Sequence, residues 1–213
     1  MTTRAASPQD TAVDPAPNRW ATLVAKRLSP ATLGGVLLGT AGLVDSGWWG
    51  LMWAVITAAV VLVLPMTVLI VLARRGIVDT RYVRNREHRF PVYIGVCVLI
   101  LGTLAAHYVL GPVLGIPFSV TLTAAFLFLG VVVVMLVTLR WKVSAHTAMA
   151  AVFAVAIPLL VAGWLGAFTW VVPVAVAWSR IRTGDHTYWQ TVVGAWIGVL
   201  IGGFYGLAWH AMI

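Results

Sequence analysis

Long apolar segments, separated by short polar or glycine- and proline-containing connectors, constrain this chain more than any other feature of its sequence. Such segments occur at residues 31–44, 48–73, 91–110, 117–139, 145–162, 164–178 and 189–209. A helix needs about 20 mainly apolar residues to cross a bilayer, and within one helix every backbone hydrogen bond is satisfied internally. We therefore predict an all-α, polytopic transmembrane helical bundle with about six to seven membrane-embedded helices.

The composition agrees with a membrane protein. Of the 213 residues, 61% are hydrophobic and only 9% are charged, whereas a soluble domain contains roughly 25% charged residues. The N-terminal part is polar and rich in Pro, Ala, Ser and Thr, so we predict a disordered or interfacial tail at 1–29 and one membrane-embedded domain at 30–213. In the last apolar segment, Gly194, Gly198 and Gly202 are spaced four residues apart, which predicts a closely packed helix.

The basic residues predict the topology. All 14 Lys and Arg residues lie in the tail, in the loop 74–89, at 140–142 and at 180–182. Two apolar segments separate each of these from the next, so all four belong to one face of the membrane. Because Lys and Arg favour the cytoplasmic side, we expect a multi-pass protein of the cell (inner or plasma) membrane with this face in the cytoplasm. Membrane lipids, and not nucleic acid, are the partners that the net charge of +8 then indicates.

Two of the polar segments on this face offer groups that bind anions. In the loop that ends at residue 92, Arg86 and Arg89 precede an apolar helix, and the fork of an arginine matches phosphate oxygens. A positive loop that only contacts lipid phosphates would have the same composition. Lys142, Ser144 and His146 lie near a predicted helix N-terminus, where backbone N–H groups attract anions. A histidine at this depth can equally be an interfacial anchor.

The third polar segment is SRIRTGDHTYWQ, at 179–190, between the last two apolar segments. It places Arg180 six residues before His186, directly ahead of the final helix. Each of the three segments alone is weak evidence. Together, on one face, they supply arginines, a lysine, a serine and two histidines, a set suited to binding a phosphate dianion and transferring it through a histidine.

Short patterns in these segments resemble the motifs of the type 2 phosphatidic acid phosphatase superfamily, the lipid phosphate phosphatases that share a fold with vanadium haloperoxidases. The superfamily has Lys-(six residues)-Arg-Pro, then Pro-Ser-Gly-His, then Ser-Arg-(five residues)-His-(three residues)-Asp. This chain has Arg89-Phe90-Pro91, then Val143-Ser144-Ala145-His146, then Ser179-Arg180 followed by His186 and Gln190. The order and spacing are similar to those of a divergent bacterial branch, over roughly residues 75–209.

The resemblance implies a metal-independent phosphoric ester or diphosphate hydrolase that needs no cofactor. His186 would attack phosphorus and form a phosphohistidine, and His146 would protonate the leaving lipid alkoxide. The six Asp and Glu residues form no pair with metal-ligand spacing. The residues that would bind the phosphate oxygens are Arg180, Arg89, Arg86, Lys142 and Ser144.

Gln190 replaces the aspartate that the superfamily places after its nucleophilic histidine. Four residues after His186 on a helix, it faces the same side, and its carbonyl oxygen can accept a hydrogen bond from the ring and fix the tautomer. It cannot stabilise a positively charged imidazole as a carboxylate does. Asp185, or Asp79, could supply that charge, and Asp185 is the second candidate, with Gln190, for orienting His186. Tyr82 precedes Arg89 by seven residues where the first motif has Lys, and Lys142 is the candidate replacement.

We therefore expect an integral membrane lipid phosphatase acting on a phosphorylated lipid, either a phosphate monoester or a diphosphate of prenyl or phosphatidyl type. Gln190 and the missing lysine of the first motif leave an alternative open, a catalytically inactive relative that binds or transports anionic lipids. A haloperoxidase is less compatible with the chain, since those enzymes are not normally this hydrophobic.

Overall fold

The computed structural model describes residues 18–76 and 86–212, without the side chains of 86–93. No strand occurs in this part of the chain. The described residues include a π-helical segment, Ala59–Val63, and a 3-10 turn, Gly163–Leu165. The helices are α1 Arg19–Arg27, α2 Pro30–Ala58, α3 Leu64–Arg74, α4 Arg86–Leu114, α5 Phe118–Arg140, α6 Ala145–Leu160, α7 Gly166–Thr169, α8 Val171–Arg182 and α9 Tyr188–Met212.

The length and apolar character of these helices confirm the predicted helical membrane bundle. In the described part of the chain, five stretches are long and apolar enough to cross a membrane, and α6 is a shorter apolar helix. The five stretches are Arg19–Arg74, Ile94–Leu114, Phe118–Arg140, Gly163–Arg182 and Tyr188–Met212.

The first of these stretches contains a reversal of the chain, because α2 is broken at Ser46 and Gly47. Gly47 has φ 58° and ψ −139°, a backbone conformation that suits glycine. The two arms then touch backbone to backbone: a Cβ atom added at Gly42 would lie 2.3 Å from the carbonyl oxygen of Gly50. Residues 30–45 and 48–74 therefore form a hairpin, which agrees with the separate apolar segments in the sequence.

Hydrogen bonds join the polar segments at one end of the bundle. Ser179 Oγ donates to the carbonyl oxygen of Ala21 at 2.7 Å and so attaches α1 to α8. The N–H of Ser144 donates to the carbonyl oxygen of Gln190 at 3.1 Å, which joins the connection before α6 to the start of α9. The connections at the other end also meet, since Trp49 Nε1 donates to the carbonyl oxygen of Gly115 at 2.7 Å.

Helices α6 and α9 pack at backbone contact, and this contact holds the connection before α6 against the start of α9. A Cβ atom at Gly198 would lie 2.1 Å from the carbonyl oxygen of Ala148, and one at Gly194 would lie 2.6 Å from that of Ser144. Gly202 and Gly206 continue the same stripe against Val155 and Leu159. The close packing predicted from the glycine spacing is thus present, with α6 as the partner.

Candidate functional site

The end of α8 and the turn after it form the centre of the site. Arg180 lies in the last turn of α8, and Gly184, with φ 70°, lets the chain turn back. The N–H groups of Asp185 and His186 both donate to the carbonyl oxygen of Arg180, at 3.1 and 3.2 Å. These bonds hold His186 in a fixed position just before α9 begins at Tyr188.

Arg180 is a buried cation whose Nε–H has no acceptor among the described residues. Its exposed fraction is 8%, and its Nη2 lies 3.2 Å from Oδ2 of Asp185, which also accepts a 2.5 Å hydrogen bond from Thr183 Oγ1. The Nε of Arg180 is buried and has no hydrogen-bond partner among the described residues. Since buried polar groups are nearly always hydrogen-bonded, the Nε–H marks a place where an additional acceptor would bind.

Gln190 orients His186 as its spacing predicts. The side-chain oxygen Oε1 accepts the backbone N–H of Thr187 at 3.1 Å and lies 3.2 Å from Nδ1 of His186. Because a backbone N–H can only donate, the atom that meets it is the amide oxygen and not the nitrogen. Nδ1 of His186 must therefore donate to this oxygen, and Nε2 is left as the unprotonated nitrogen of the neutral ring.

The surroundings of His186 favour this neutral ring. Burial lowers the pKa of His186 to about 4, and the positive charges of Lys142 and Arg180 act in the same direction. The hydrogen bond with Gln190 and the carboxylate of Asp185 oppose this shift but do not cancel it. At neutral pH the imidazole is uncharged, which is the state that a nucleophile requires.

The segment before α6 is held against this centre. Lys142 Nζ donates to the carbonyl oxygen of Asp185 at 2.5 Å. Ser144 is the N-cap of α6, and its fully buried hydroxyl oxygen accepts bonds from the N–H and Oγ1 of Thr147 at 3.3 and 2.9 Å. The hydroxyl of Ser144 therefore has a capping role in this structure, and its predicted contact with phosphate stays a prediction.

His146 joins the phosphate-binding candidates to an apolar cavity. It lies in the first turn of α6, within electrostatic range of Arg180 and His186. It also lines a cavity of about 460 Å³ whose other lining residues come largely from the apolar faces of the helices. The site therefore brings together His146, His186, Arg180, Lys142, Ser144, Asp185 and Gln190.

Asp185 differs from the expectation that it orients the nucleophile. Its carboxylate contacts Arg180 and Thr183, so the role at Nδ1 of His186 falls to Gln190 and the effect of Asp185 on His186 is electrostatic. The guanidinium of Arg180 is the stronger partner because an ion pair with a buried cation outweighs a bond to a neutral ring.

Four predicted positions lie outside the described residues or side chains. Asp79 and Tyr82 are not among the described residues, and the side chains of Arg86 and Arg89, at the start of α4, are likewise outside the described part.

Sequence reasoning assigned no role to Lys26 and Ser179. Lys26, on α1, lines the same cavity as His146. Ser179 holds α1 in place through its bond to Ala21. The sequence contains a signal for Ser179, because this residue precedes Arg180 in a conspicuous polar pair. The position of Lys26 depends on a contact between distant parts of the chain.

Comparison of the chain with protein-family models, with curated proteins and with solved structures finds no match. The resemblance to the phosphatase superfamily therefore rests on its short motifs, and a function for the site rests on the geometry of its residues.

Proposed function

We propose that the protein is an integral membrane lipid phosphatase that hydrolyses a phosphate monoester or diphosphate of a prenyl or phosphatidyl lipid. The observation that carries this proposal is the buried Arg180. Its Nε–H has no partner within the described part of the chain and belongs to the same site as His146 and His186. The three side chains supply a fixed positive charge, a neutral nucleophile and a second group for proton transfer.

The phosphate would bind at Arg180, through the Nε–H and the guanidinium edge that now faces Asp185. Lys142 adds a positive charge beside Arg180, because its Nζ donates to the main chain of Asp185, the ion-pair partner of Arg180. The first turn of α6 adds the backbone N–H groups of Ala145 and His146, which have no acceptor within their own helix, while that of Thr147 is capped by Ser144. Arg86 and Arg89 complete the proposed set of cations.

In the first step, Nε2 of His186 attacks phosphorus, the bond between phosphorus and the leaving oxygen breaks, and His146 gives that oxygen a proton. Bound phosphate carries negative charge and so favours the protonated form of His146 in the complex. Gln190 keeps Nδ1–H of His186 in its hydrogen bond throughout. In the second step, His146 takes a proton from water, the resulting hydroxide attacks phosphorus, and the bond between phosphorus and Nε2 breaks to release phosphate.

Phosphate release from a lipid panel tests the proposal. The panel contains a prenyl phosphate, a prenyl diphosphate and phosphatidic acid, with the full-length protein in detergent micelles. We expect His186→Ala to abolish release and His146→Ala to lower kcat by about 100-fold or more. His210→Ala is the matched control, because His210 is an exposed histidine in the last turn of α9. Labelled phosphate that is trapped on the wild type, but not on His186→Ala, would identify the phosphohistidine.

A second candidate function is the binding or transport of anionic lipids without hydrolysis. It is favoured by the neutral amide of Gln190 at His186 and by the carboxylate of Asp185 on Arg180. Equal and negligible phosphate release from wild type and His186→Ala, with retained binding of prenyl phosphate by both, would establish this alternative and contradict the phosphatase.

For the membrane and its sidedness, we propose the cell (inner or plasma) membrane with the site on the cytoplasmic face. The basic residues Arg19, Arg27, Arg74 and Arg75 support this orientation, because they lie at the same end and have no role in the proposed reaction. A cytoplasmic site suits lipid phosphates that are made on that side of the membrane.

A further inference from the structure

An apolar cavity adjoins the proposed phosphate site and has a polar end. It measures about 460 Å³, and its walls come mainly from the π-helical segment and from α3, α4, α5 and α6, with smaller contributions from α2 and α9. The polar side chains among the residues that line it are Lys26, Ser29 and His146. Ligand sites have this character, with mostly apolar walls and a few polar groups that fix the orientation of the ligand.

We infer that this cavity binds a single hydrocarbon chain of the lipid substrate, with the phosphate end of that chain between Lys26 and His146. The inference rests on the proposed function, since it takes Arg180 and His186 as the phosphate site. It adds the substrate class, a phosphate or diphosphate ester with one long chain, such as a prenyl or single-acyl lipid.

The position of α1 supports the polar end of this site. Ser179, the neighbour of Arg180, holds α1 through the carbonyl oxygen of Ala21. Lys26 is therefore on a helix that is attached next to the proposed phosphate ligand. No acidic side chain is among the described residues that line the cavity, so the charge at its polar end complements an anion.

The walls and size of the cavity support one chain. A volume of about 460 Å³ is in the lower half of the range found for small-molecule sites, roughly 300–1,000 Å³, which suits one chain better than two side by side. Helix α3, which contributes Pro65, Met66 and Ile70 to the wall, has no buried residue. This wall is thus a single layer of protein, past which a lipid can enter from the bilayer.

Gly130 offers a position in the cavity wall where a Cβ atom can be added without a clash. It lines the cavity, and a Cβ atom added there has Ile201 Cδ1, at 3.8 Å, as its one neighbour within 4 Å. Gly130→Leu therefore places a side chain in the space proposed for the lipid. Gly102→Leu in α4 is the matched control, because a Cβ atom there meets nothing within 4 Å and Gly102 is not among the lining residues.

We expect Gly130→Leu to raise KM for a long-chain prenyl phosphate by about tenfold or more, with kcat/KM for a five-carbon prenyl phosphate unchanged. Gly102→Leu should change neither value. Wild type should also prefer lysophosphatidic acid, with one chain, over phosphatidic acid, with two. Equal effects of Gly130→Leu on the long and short substrates, or equal use of the one- and two-chain lipids, would overturn the inference and leave the phosphatase proposal standing.

Lys26→Gln tests the polar end, with Arg27→Gln as its control, since Arg27 is an exposed neighbour that does not line the cavity. Lys26→Gln should raise KM for both the long and the short substrate, and Arg27→Gln should not. Equal KM values for the two variants would show that Lys26 does not contribute to the site.

Binding of a brominated long-chain alkyl phosphate, followed through quenching of tryptophan fluorescence, separates the two proposals. If wild type binds it, Gly130→Leu does not, and neither releases phosphate from any lipid, the chain site stands and the phosphatase fails. If wild type and Gly130→Leu bind it equally, the chain site fails whatever the activity. Thermal unfolding of each variant checks that the fold is intact.

Discussion

A single amide sets the chemical state of His186. The N–H of Thr187 holds Oε1 of Gln190 toward Nδ1, so the ring keeps its proton on that nitrogen and presents Nε2 unprotonated. Burial, together with Lys142 and Arg180, lowers the pKa of the ring to about 4. In the proposed reaction this neutral ring can attack phosphorus, but the positive charge that would form on it is stabilised by the dipole of an amide and not by the charge of a carboxylate.

Titration of His186 by NMR, with histidine labelled in the full-length protein, checks this state without any substrate. Because its pKa is lowered, the ring takes up a proton only as the pH falls through about 4, and not near 6.5 as in a free histidine. We expect a midpoint close to 4 and the signature of a neutral ring protonated at Nδ1. The signal is assigned by its loss in His186→Ala.

Gln190→Asp is the companion variant. A carboxylate beside the ring favours the charged form, so the midpoint of His186 should move to higher pH. A wild-type midpoint near 6.5, or one that is unchanged in Gln190→Asp, would show that the environment described for His186 is wrong.

At the scale of elements, the contact between α6 and α9 determines whether the site exists. The glycine stripe of α9 lets Ser144 and Gln190 approach until their main chains form a hydrogen bond. Any side chain in the stripe would push the two helices apart, and with them the segments that contain His146 and His186.

Gly198→Leu should therefore destabilise the protein, by about 1–3 kcal/mol or more, because its Cβ would lie 2.1 Å from the carbonyl oxygen of Ala148. Gly203→Leu is the control: the same substitution five residues later in α9, where a Cβ atom meets nothing within 4 Å. Thermal unfolding in detergent measures both. Similar unfolding temperatures for the two variants would mean that α6 and α9 are not packed as described.

The elements also show which features the sequence determines locally. Apolar length and the spacing of Gly194, Gly198 and Gly202 predict the helices and a close contact, because both patterns are contained within one helix. They do not predict that α6 is the partner. The attachment of α1 joins Ser179 to a residue 158 positions away, and only the packing of the whole bundle brings these two together.

The same distinction between local contacts and contacts of distant residues applies to the site. The pairing of His186 with Gln190 was predictable because it spans four residues of one turn. Asp185 is adjacent to His186 in sequence, yet it pairs with Arg180, since the turn at Gly184 directs the carboxylate back toward the end of α8. Lys26 could not be predicted, because its place beside the cavity depends on three-dimensional packing alone.

At the scale of the whole molecule, the turn of the hairpin and the C-terminal end of α8 lie at opposite ends of the bundle. The chain turn at Asp45 is separated from the site by the membrane-embedded length of the helices, while Arg182 follows Arg180 at the end of α8. Both Asp45 and Arg182 are exposed.

Cysteine labelling in intact cells tests this arrangement. In a Cys97→Ser background, which removes the single native cysteine, Asp45→Cys should react with a membrane-impermeant maleimide from outside and Arg182→Cys only after lysis. Labelling of both from the same side would contradict the bundle. The reverse pattern would keep the bundle and place the site on the outer face, where the proposed cytoplasmic substrates could not reach it.

The hairpin at Ser46 and Gly47 has a consequence for biogenesis. Its first arm, residues 30–45, is about 24 Å long at 1.5 Å per residue, which is shorter than the roughly 30 Å hydrocarbon core. Only two residues separate it from the returning arm, and Gly42 and Gly50 join the arms at backbone contact. We therefore expect the two arms to leave the translocon laterally as one folded unit. The later helices would then pack against this unit.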